Sequence, residues 1–126
     1  MKKINNLIKV LIVLTHLFFF RIFLKIFNLN LCILISKKKI FGIRINRKSL
    51  IQILDKNFSN FPKSTCLIRC LTFKRLVRNS DQYKCCIGIK NQDKNFESHA
   101  WIEFEGKKIL NILPDINQFK VIHSYE

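Results

Sequence analysis

The spacing of apolar residues changes from helical to alternating at about residue 80, and this change constrains the fold more than any other feature. Apolar residues recur with helical spacing from 65 to 78, where Ser64 or Thr65 can cap the helix. A turn at 79–81 ends that helix, and strand-like segments follow at 84–90, 98–104, 107–112 and 119–123. A polar loop is expected at 91–95, and Glu105-Gly106 predicts a tight hairpin because glycine readily adopts a positive φ. One helix followed by antiparallel strands predicts an α+β domain.

The segment before this helix carries further, weaker signals. Ser49 is a plausible N-cap for a helix over 50–58, because the apolar spacing there is helical and the run at 57–62 then breaks it. The alternation at 43–45 fits either a short strand or an extended linker. A chain of 126 residues is long enough for one hydrophobic core and too short for two ordinary domains.

The positive charge is concentrated in the N-terminal part of the chain. Residues 1–54 contain eleven basic residues and no acidic one, whereas the remainder contains twelve basic and eight acidic residues. The C-terminal part is therefore charged like an ordinary soluble domain, and the formal charge of +15 does not by itself indicate a nucleic-acid partner. We expect an apolar, basic helical arm over 1–48 and a folded domain over 49–126. The absence of a helix-turn-helix pattern also argues against nucleic-acid binding.

The most apolar segment, residues 7–35, leaves its relation to a membrane open. The uncharged run from Val10 to Phe20 is shorter than the ~20 residues that a spanning helix needs, and Arg21 and Lys25 interrupt any extension. The segment fits a helix packed on the domain or on a partner protein, a membrane-surface helix, or a span whose two cations reach an interface. The basic run at 37–39 would suit anionic head groups. No secretion signal is convincing and the five cysteines are an odd number, so we expect free thiols and a cytoplasmic protein, with association with a membrane left open.

Two residues stand out as candidates for chemistry, Cys66 and His99. Cys66 falls in the first turn of the predicted helix, where unpaired N–H groups and the helix dipole stabilise a thiolate and lower its pKa. His99 begins the strand at 98–104, so a thiol nucleophile and its base could meet after folding. Taken alone, each could be structural, as we expect of His16 in the apolar run and of His123 near the end.

Other polar groups are predicted to be structural. Cys85 and Cys86 are adjacent on a strand and point to opposite faces, and no Cys-x-x-Cys pair exists, so we expect no metal site. Cys70 lies one turn after Cys66, where packing is the expected role. The cations at 74, 75 and 78 are predicted to form a solvated helix face. No phosphate-binding loop is present, so no nucleotide cofactor is expected.

Three motifs in order resemble a known family. Cys-Leu-x-Arg at 66–69, Ile-Gly-Ile at 87–89 and Phe-x-x-His-Ala-Trp-Ile-Glu-x-x-Gly at 96–106 resemble the transglutaminase-like cysteine peptidases of lasso-peptide biosynthesis. These are the leader peptidases of bacterial gene clusters that make threaded peptides. The resemblance covers roughly 49–123. It implies a papain/transglutaminase-like core, with a helix that carries the cysteine packed on a small antiparallel sheet after a basic, apolar arm.

The resemblance also implies roles for single residues. Cys66 matches the nucleophile and His99 the general base. The third member of the triad, an acidic residue in the family, falls at Asn111 or, four residues on, at Asp115, with Asn111 slightly favoured. An Asn can hold an imidazole in the required tautomer. Trp101 is expected beside the site, Gly88 to permit a close backbone approach, and the Cys66 N–H to be the natural oxyanion donor.

The implied partners are the leader of a precursor peptide, a small leader-recognition protein and an ATP-dependent macrolactam cyclase, to which we assign the ATP. Two other classes of function remain open. One is a catalytically silent relative that holds the maturation complex together. The other is a basic module that binds membranes or nucleic acid, for which binding would weaken steeply with salt.

Overall fold

The structure, a computed structural model, describes residues 2–38, 44–57, 65–92, 95–112 and 116–126 of the chain. Its helices are α1 (Lys2–Ile26), α2 (Leu29–Lys37), α3 (Arg47–Asn57) and α4 (Thr65–Leu76). Its strands are β1 (Tyr83–Gln92), β2 (Asn95–Phe104), β3 (Lys107–Leu110) and β4 (Lys120–Tyr125), and single 3-10 turns lie at Ser80–Gln82 and Ile116–Gln118. The strands form one antiparallel sheet in the order β3-β2-β1-β4. The predicted α+β fold, with a cysteine-bearing helix packed on a small antiparallel sheet after an apolar arm, is confirmed.

The local sequence correctly predicts the hairpin between β2 and β3 but not the extent of the hairpin between β1 and β2. Glu105 and Gly106 both have a positive φ, 50° and 78°, which is the conformation that a tight hairpin between β2 and β3 requires. The predicted loop at 91–95 is too long, because β1 and β2 continue to pair as far as Gln92 and Asn95, and residues 93–94 lie outside the described residues. Polar residues are compatible with a strand there because this end of the ribbon is exposed to solvent at Asn91 and Phe96.

Helix α4 is the centre of the core, and it contacts α1, α2, α3, β1 and β2. Its buried residues Ile68, Leu71, Phe73 and Leu76 share one hydrophobic cluster with Ala100, Ile102 and Cys85 of the sheet. Cys86 lies on the opposite face of the sheet with Trp101, Ile116 and Phe119. The two adjacent cysteines therefore point to opposite faces, as their place on a strand predicts.

The predicted solvated face of α4 is wrong at Lys74, whose side chain is only 1% exposed. Its Nζ donates hydrogen bonds to the carbonyl oxygens of Ser80 and Tyr83, at 2.6 and 2.7 Å. Arg75 is half-buried and donates to the carbonyl oxygen of Ile35 at 3.3 Å, and Arg78 alone of the three is exposed. Lys74 is buried because the helices of the arm cover this side of α4. Its ammonium also supplies the hydrogen-bond donors that the buried carbonyl groups after the end of α4 need.

The N-terminal helix α1 packs on the domain through Val13, Leu17 and Phe20, which are fully buried. His16 is buried on α1 as well, and its Nδ1 donates to the carbonyl oxygen of Ile12 at 2.8 Å. The segment Asn6–Ile26 is long and apolar enough to cross a bilayer, a property that helices in soluble cores share. The division into an arm over 1–48 and a domain over 49–126 stays a prediction.

Helix α3 begins three residues earlier than a cap at Ser49 predicts. The N–H of Ser49 donates to Oδ1 of Asn46 at 2.8 Å, so Asn46 is the capping residue and the helix starts at Arg47. Just before it, Ile45 forms a single parallel bridge with Val77, with its N–H bonded to the carbonyl oxygen of Leu76 at 2.7 Å. Ile43, the first residue of the alternation at 43–45, lies outside the described residues.

Candidate active site

The first turn of α4 brings Cys66 against β2. The half-buried Cys66 thiol lies close to the side chain of His99 and to the backbone N–H groups of Ala100 and Leu67, all of which favour its thiolate. The N–H of Leu67 is available because the first four N–H groups of a helix have no partner inside the helix. Helix start and strand thus both contribute donors to one sulfur atom.

The surroundings of Cys66 favour its thiolate. Burial raises the pKa of the Cys66 thiol, but the hydrogen bond with His99, the N–H of Ala100, the charge of His99 and the N–H of Leu67 together outweigh that cost. The net result is a pKa below the ordinary value of a cysteine. A thiolate is the form that acts as a nucleophile, so this cysteine is suited to covalent chemistry.

The imidazole of His99 is oriented by a main-chain atom. Its Nε2 lies 2.6 Å from the carbonyl oxygen of Asn111. A carbonyl oxygen only accepts hydrogen bonds, so Nε2 carries the proton in the neutral ring. The other ring nitrogen, Nδ1, is then the unprotonated atom of the neutral ring. This tautomer can accept a proton from the sulfur.

The side chain of Asn111 does not orient His99 but ties α4 to β2. Its Nδ2 donates to the carbonyl oxygens of Cys66 and Ala100, at 2.9 and 3.1 Å, and lies 3.3 Å from Sγ of Cys70. An amide has two hydrogens, and the two carbonyl contacts use both. Asn111 has a left-handed φ of 58°, which Asn tolerates better than most residues. The Asn111 side chain therefore holds the peptide of the proposed nucleophile in place.

Aromatic side chains line the sheet face that carries His99. Its ring centroid lies 6.2 Å from that of Trp101 and 5.7 Å from that of Phe119. The indole Nε1 of Trp101 donates to Glu103 at 2.9 Å, which fixes the ring. Gly88 pairs with His99 across the ladder, and a Cβ there would lie 2.7 Å from the Trp101 ring. A glycine is needed because the indole occupies the space of a side chain.

The structure brings together three of the four site residues that the sequence suggests: Cys66, His99 and Asn111. The fourth, Asp115, lies outside the described residues. His16 lies on α1 and the exposed His123 on β4, both away from this cluster as their positions suggested. The catalytic roles themselves stay predictions.

Sequence reasoning missed several contacts of the site. The N–H groups of Ala100 and Leu67 have no sequence signature, since every residue except proline has one. Phe119 was assigned only to a strand, and its contact with His99 arises because β4 returns beside β1. Among the described residues, no group of three His, Cys, Asp or Glu side chains is placed to hold a metal ion.

The comparisons with known proteins place this site within a matched region. The family model described as transglutaminase-like superfamily matches residues 46–124, which include Cys66, His99, Asn111 and nearly the whole sheet. Comparisons with curated proteins and with solved structures find no match. The family match covers well over half of the chain and agrees with the α+β fold. The chain therefore belongs to the transglutaminase-like superfamily.

Proposed function

We propose that this protein is a cysteine peptidase that removes the leader peptide from a ribosomally made lasso-peptide precursor. The observation that carries the proposal is the closeness of the Cys66 thiol, at the start of α4, to His99, which lowers the pKa of the thiol. The superfamily includes cysteine peptidases, and the spacing of the motifs at 66–69, 87–89 and 96–106 resembles that of the lasso-peptide leader peptidases.

In the proposed reaction, Nδ1 of His99 takes the thiol proton and the sulfur attacks the carbonyl carbon that links leader to core. The tetrahedral oxyanion is received by backbone N–H groups at the start of α4, with the Cys66 N–H as the natural donor. Collapse of this intermediate breaks the peptide bond, and His99 returns its proton to the leaving amine of the core peptide. The leader remains as a thioester on Cys66.

Hydrolysis completes the cycle. His99 takes a proton from a water molecule, the resulting hydroxide attacks the thioester carbon, and the Cys66 thiolate leaves and recovers the proton. While the imidazole is doubly protonated, Nε2–H keeps its bond to the carbonyl oxygen of Asn111. That oxygen carries only a partial negative charge, so it orients the ring but stabilises the imidazolium less than a carboxylate would.

The proposed partners follow from the same resemblance. A small recognition protein would present the leader, and an ATP-dependent cyclase would take the freed core and close the macrolactam. The peptidase step itself needs no ATP, because hydrolysis of the thioester is favourable without it.

A second candidate is a scaffold without peptidase activity. The observation that favours it is that Asn111, at the position where the resembling peptidases have an acidic residue, offers His99 a main-chain carbonyl oxygen and no carboxylate. Such a scaffold would bind the recognition protein and the precursor but leave the peptide bond intact.

One assay separates these candidates. The full chain is incubated with a candidate precursor and its recognition protein, and the freed leader is measured by mass. We expect leader release by the wild type, no release by Cys66→Ala, and unchanged release by Cys32→Ala, a control that removes a buried thiol of α2. Release that survives Cys66→Ala contradicts the peptidase proposal. Binding of precursor and recognition protein without any release supports the scaffold.

A further inference from the structure

Helix α1 is apolar on both of its sides, and the domain covers only one of them. Val13, Leu17 and Phe20 are buried against the domain. On the other side, large apolar side chains form an exposed stripe from residue 7 to the end of the helix, which we call the α1 stripe: Leu7, Leu11, Phe18, Ile22 and Ile26. An exposed apolar surface of this length indicates an interaction site rather than an ordinary helix surface.

The exposed apolar surface continues from α1 into α2. Phe19, Phe23 and Phe27 stack in a row one helical turn apart, with ring centroids separated by 4.9 and 4.3 Å. Beyond them, Leu31 and Leu34 of α2 are exposed as well. The two helices thus present one elongated apolar surface, in keeping with an extended, flat partner.

The charges around this surface indicate which kind of partner it binds. Lys25 at the end of α1 and Lys37 and Lys38 at the end of α2 are exposed, and residues 1–54 contain no acidic side chain. Aliphatic and aromatic side chains bordered by lysines are the composition of helices that lie in a membrane interface, with apolar groups below the head groups and cations beside the phosphates. We propose that α1 and α2 dock this domain on the surface of an anionic lipid bilayer.

The buried side of α1 distinguishes surface docking from a membrane span. A spanning helix would expose Val13, Leu17 and Phe20 to lipid and leave α4 without its cover. In surface docking these three residues remain in the core while the α1 stripe enters the interface. The folded arrangement and the bound arrangement are then the same.

The contact between α1 and α4 marked by Arg75 lies at the end of α4 opposite to Cys66. The guanidinium of Arg75 lies 5.8 Å from the ring centroid of Phe19, so the middle of α1 lies beside the C-terminal end of α4. Cys66 lies in the first turn of α4, about 14 Å further along the helix axis. The inference does not depend on the proposed peptidase activity, and binding to lipid can be tested without a substrate.

The test is co-sedimentation of the full chain with vesicles. We expect binding to vesicles of phosphatidylcholine mixed with phosphatidylglycerol, weaker binding to pure phosphatidylcholine, and weaker binding to the anionic vesicles at high salt. Leu11→Glu/Ile22→Glu should reduce the affinity by about a hundredfold, because two apolar side chains no longer enter the interface. Val121→Glu/Ile122→Glu is the matched control, since Ile22 and Ile122 are equally exposed at 57% and the control pair lies on β4.

A second pair of variants tests the charges. Lys25→Gln/Lys38→Gln should weaken binding to anionic vesicles by about fivefold for each lysine, and should leave binding to neutral vesicles unchanged. Lys107→Gln/Lys120→Gln removes two exposed lysines of the sheet and should have no effect. Circular dichroism of each variant shows whether it is folded.

Four results would overturn the proposal. The first is that the wild type does not bind anionic vesicles, and the second is that the Val121/Ile122 control loses as much affinity for them as Leu11→Glu/Ile22→Glu. The third is that the protein stays on the vesicles after carbonate extraction, which indicates a span. The fourth is a dimer that forms without lipid and that Leu11→Glu/Ile22→Glu dissociates. The last result, together with no vesicle binding, would assign the α1 stripe to a second copy of the chain.

Discussion

Nε2 of His99 lies 2.6 Å from the main-chain carbonyl oxygen of Asn111, so a backbone atom fixes the orientation of the imidazole. The side chain of the same residue points the other way and donates to the carbonyl oxygens of Cys66 and Ala100. Asn111 therefore contacts both members of the Cys66–His99 pair, each through a different group. Substitutions at this position can separate the two contacts, because they change the side chain and leave the carbonyl.

Asn111→Asp is expected to damage the site although it introduces the acidic residue that the resembling peptidases have. A carboxylate here would place an oxygen against the carbonyl oxygens of Cys66 and Ala100, which now accept from Nδ2. Losing these bonds in a half-buried setting should lower the free energy of unfolding by about 1–3 kcal/mol. Urea unfolding and leader release measure the two effects, and we expect both to decrease.

The control for this substitution is Asn79→Asp. Asn79 also has a left-handed φ, 52°, but it is exposed and its side chain makes no capping hydrogen bond, so this variant should behave like the wild type. If Asn111→Asp instead releases leader as fast as the wild type or faster, the side chain has turned to His99 and acts as the third catalytic residue. Asp115→Asn, measured in parallel, tests the other candidate for that role.

Alkylation of Cys66 should proceed at a lower pH than that of an ordinary thiol, because the pKa of Cys66 is lowered. His99→Ala should raise the pKa of Cys66. Burial disfavours the thiolate, and His99 is the group that does most to oppose this effect. The rate of iodoacetamide modification is followed against pH, with each cysteine identified by peptide mass. We expect the midpoint for Cys66 to move to higher pH in His99→Ala.

Cys86 serves as the control within the same molecule. Burial raises the pKa of Cys86 to about 11, and its side chain is almost completely enclosed, so it should react slowly between pH 6 and 9 at a rate that His99→Ala does not change. Equal reactivity of Cys66 and Cys86 in the wild type would contradict the thiolate assignment.

Local signals in the sequence were sufficient for the order of elements and for the Cys66–His99 pair. The turn at Glu105-Gly106 and the start of α4 depend on neighbouring residues only, and a cysteine at a helix start is a recognisable type. His99, which was expected to begin its strand, instead lies inside β2, because that strand begins at Asn95. The burial of Lys74 was not predictable, because it depends on the arm helices that cover α4 and on two carbonyl groups after the helix. At α3, Asn46 and Ser49 are both good capping residues, and only the folded chain shows which N–H groups are left unpaired.

Gly88→Ala should disturb the site through Trp101. The added Cβ would lie 2.7 Å from the indole ring and 3.1 Å from the Cβ of Phe119, so the ring that stacks beside His99 has to move. We expect a loss of about 1–3 kcal/mol in the free energy of unfolding, a shifted emission maximum of the single tryptophan and slower leader release. These effects are measured by urea unfolding, fluorescence and mass.

Gly106→Ala is the control for Gly88→Ala, because it strains the backbone without displacing a neighbouring side chain. Gly106 has a φ of 78° and nothing lies within 4 Å of its added Cβ, so the variant should lose about 1–2 kcal/mol of stability from backbone strain. Its tryptophan emission and its leader release at a temperature where it is folded should match the wild type. The same emission shift in both variants would show that Gly88 has no special relation to Trp101.

Lys74→Met should destabilise the fold and change how its stability depends on pH. The carbonyl oxygens of Ser80 and Tyr83 lose their donor, which costs about 1–3 kcal/mol for each group left unpaired in the core. Burial lowers the pKa of Lys74 to about 8, whereas in the unfolded chain it is about 10.4. Between these two pH values the unfolded state therefore binds more protons than the folded state. Burying the charged ammonium lowers the stability of the fold in full below pH 8, and this loss of stability disappears as the pH rises. We expect the stability of the wild type relative to Lys74→Met, from urea unfolding at pH 7 to 10, to increase with pH. A constant difference would mean that Lys74 titrates alike in both states.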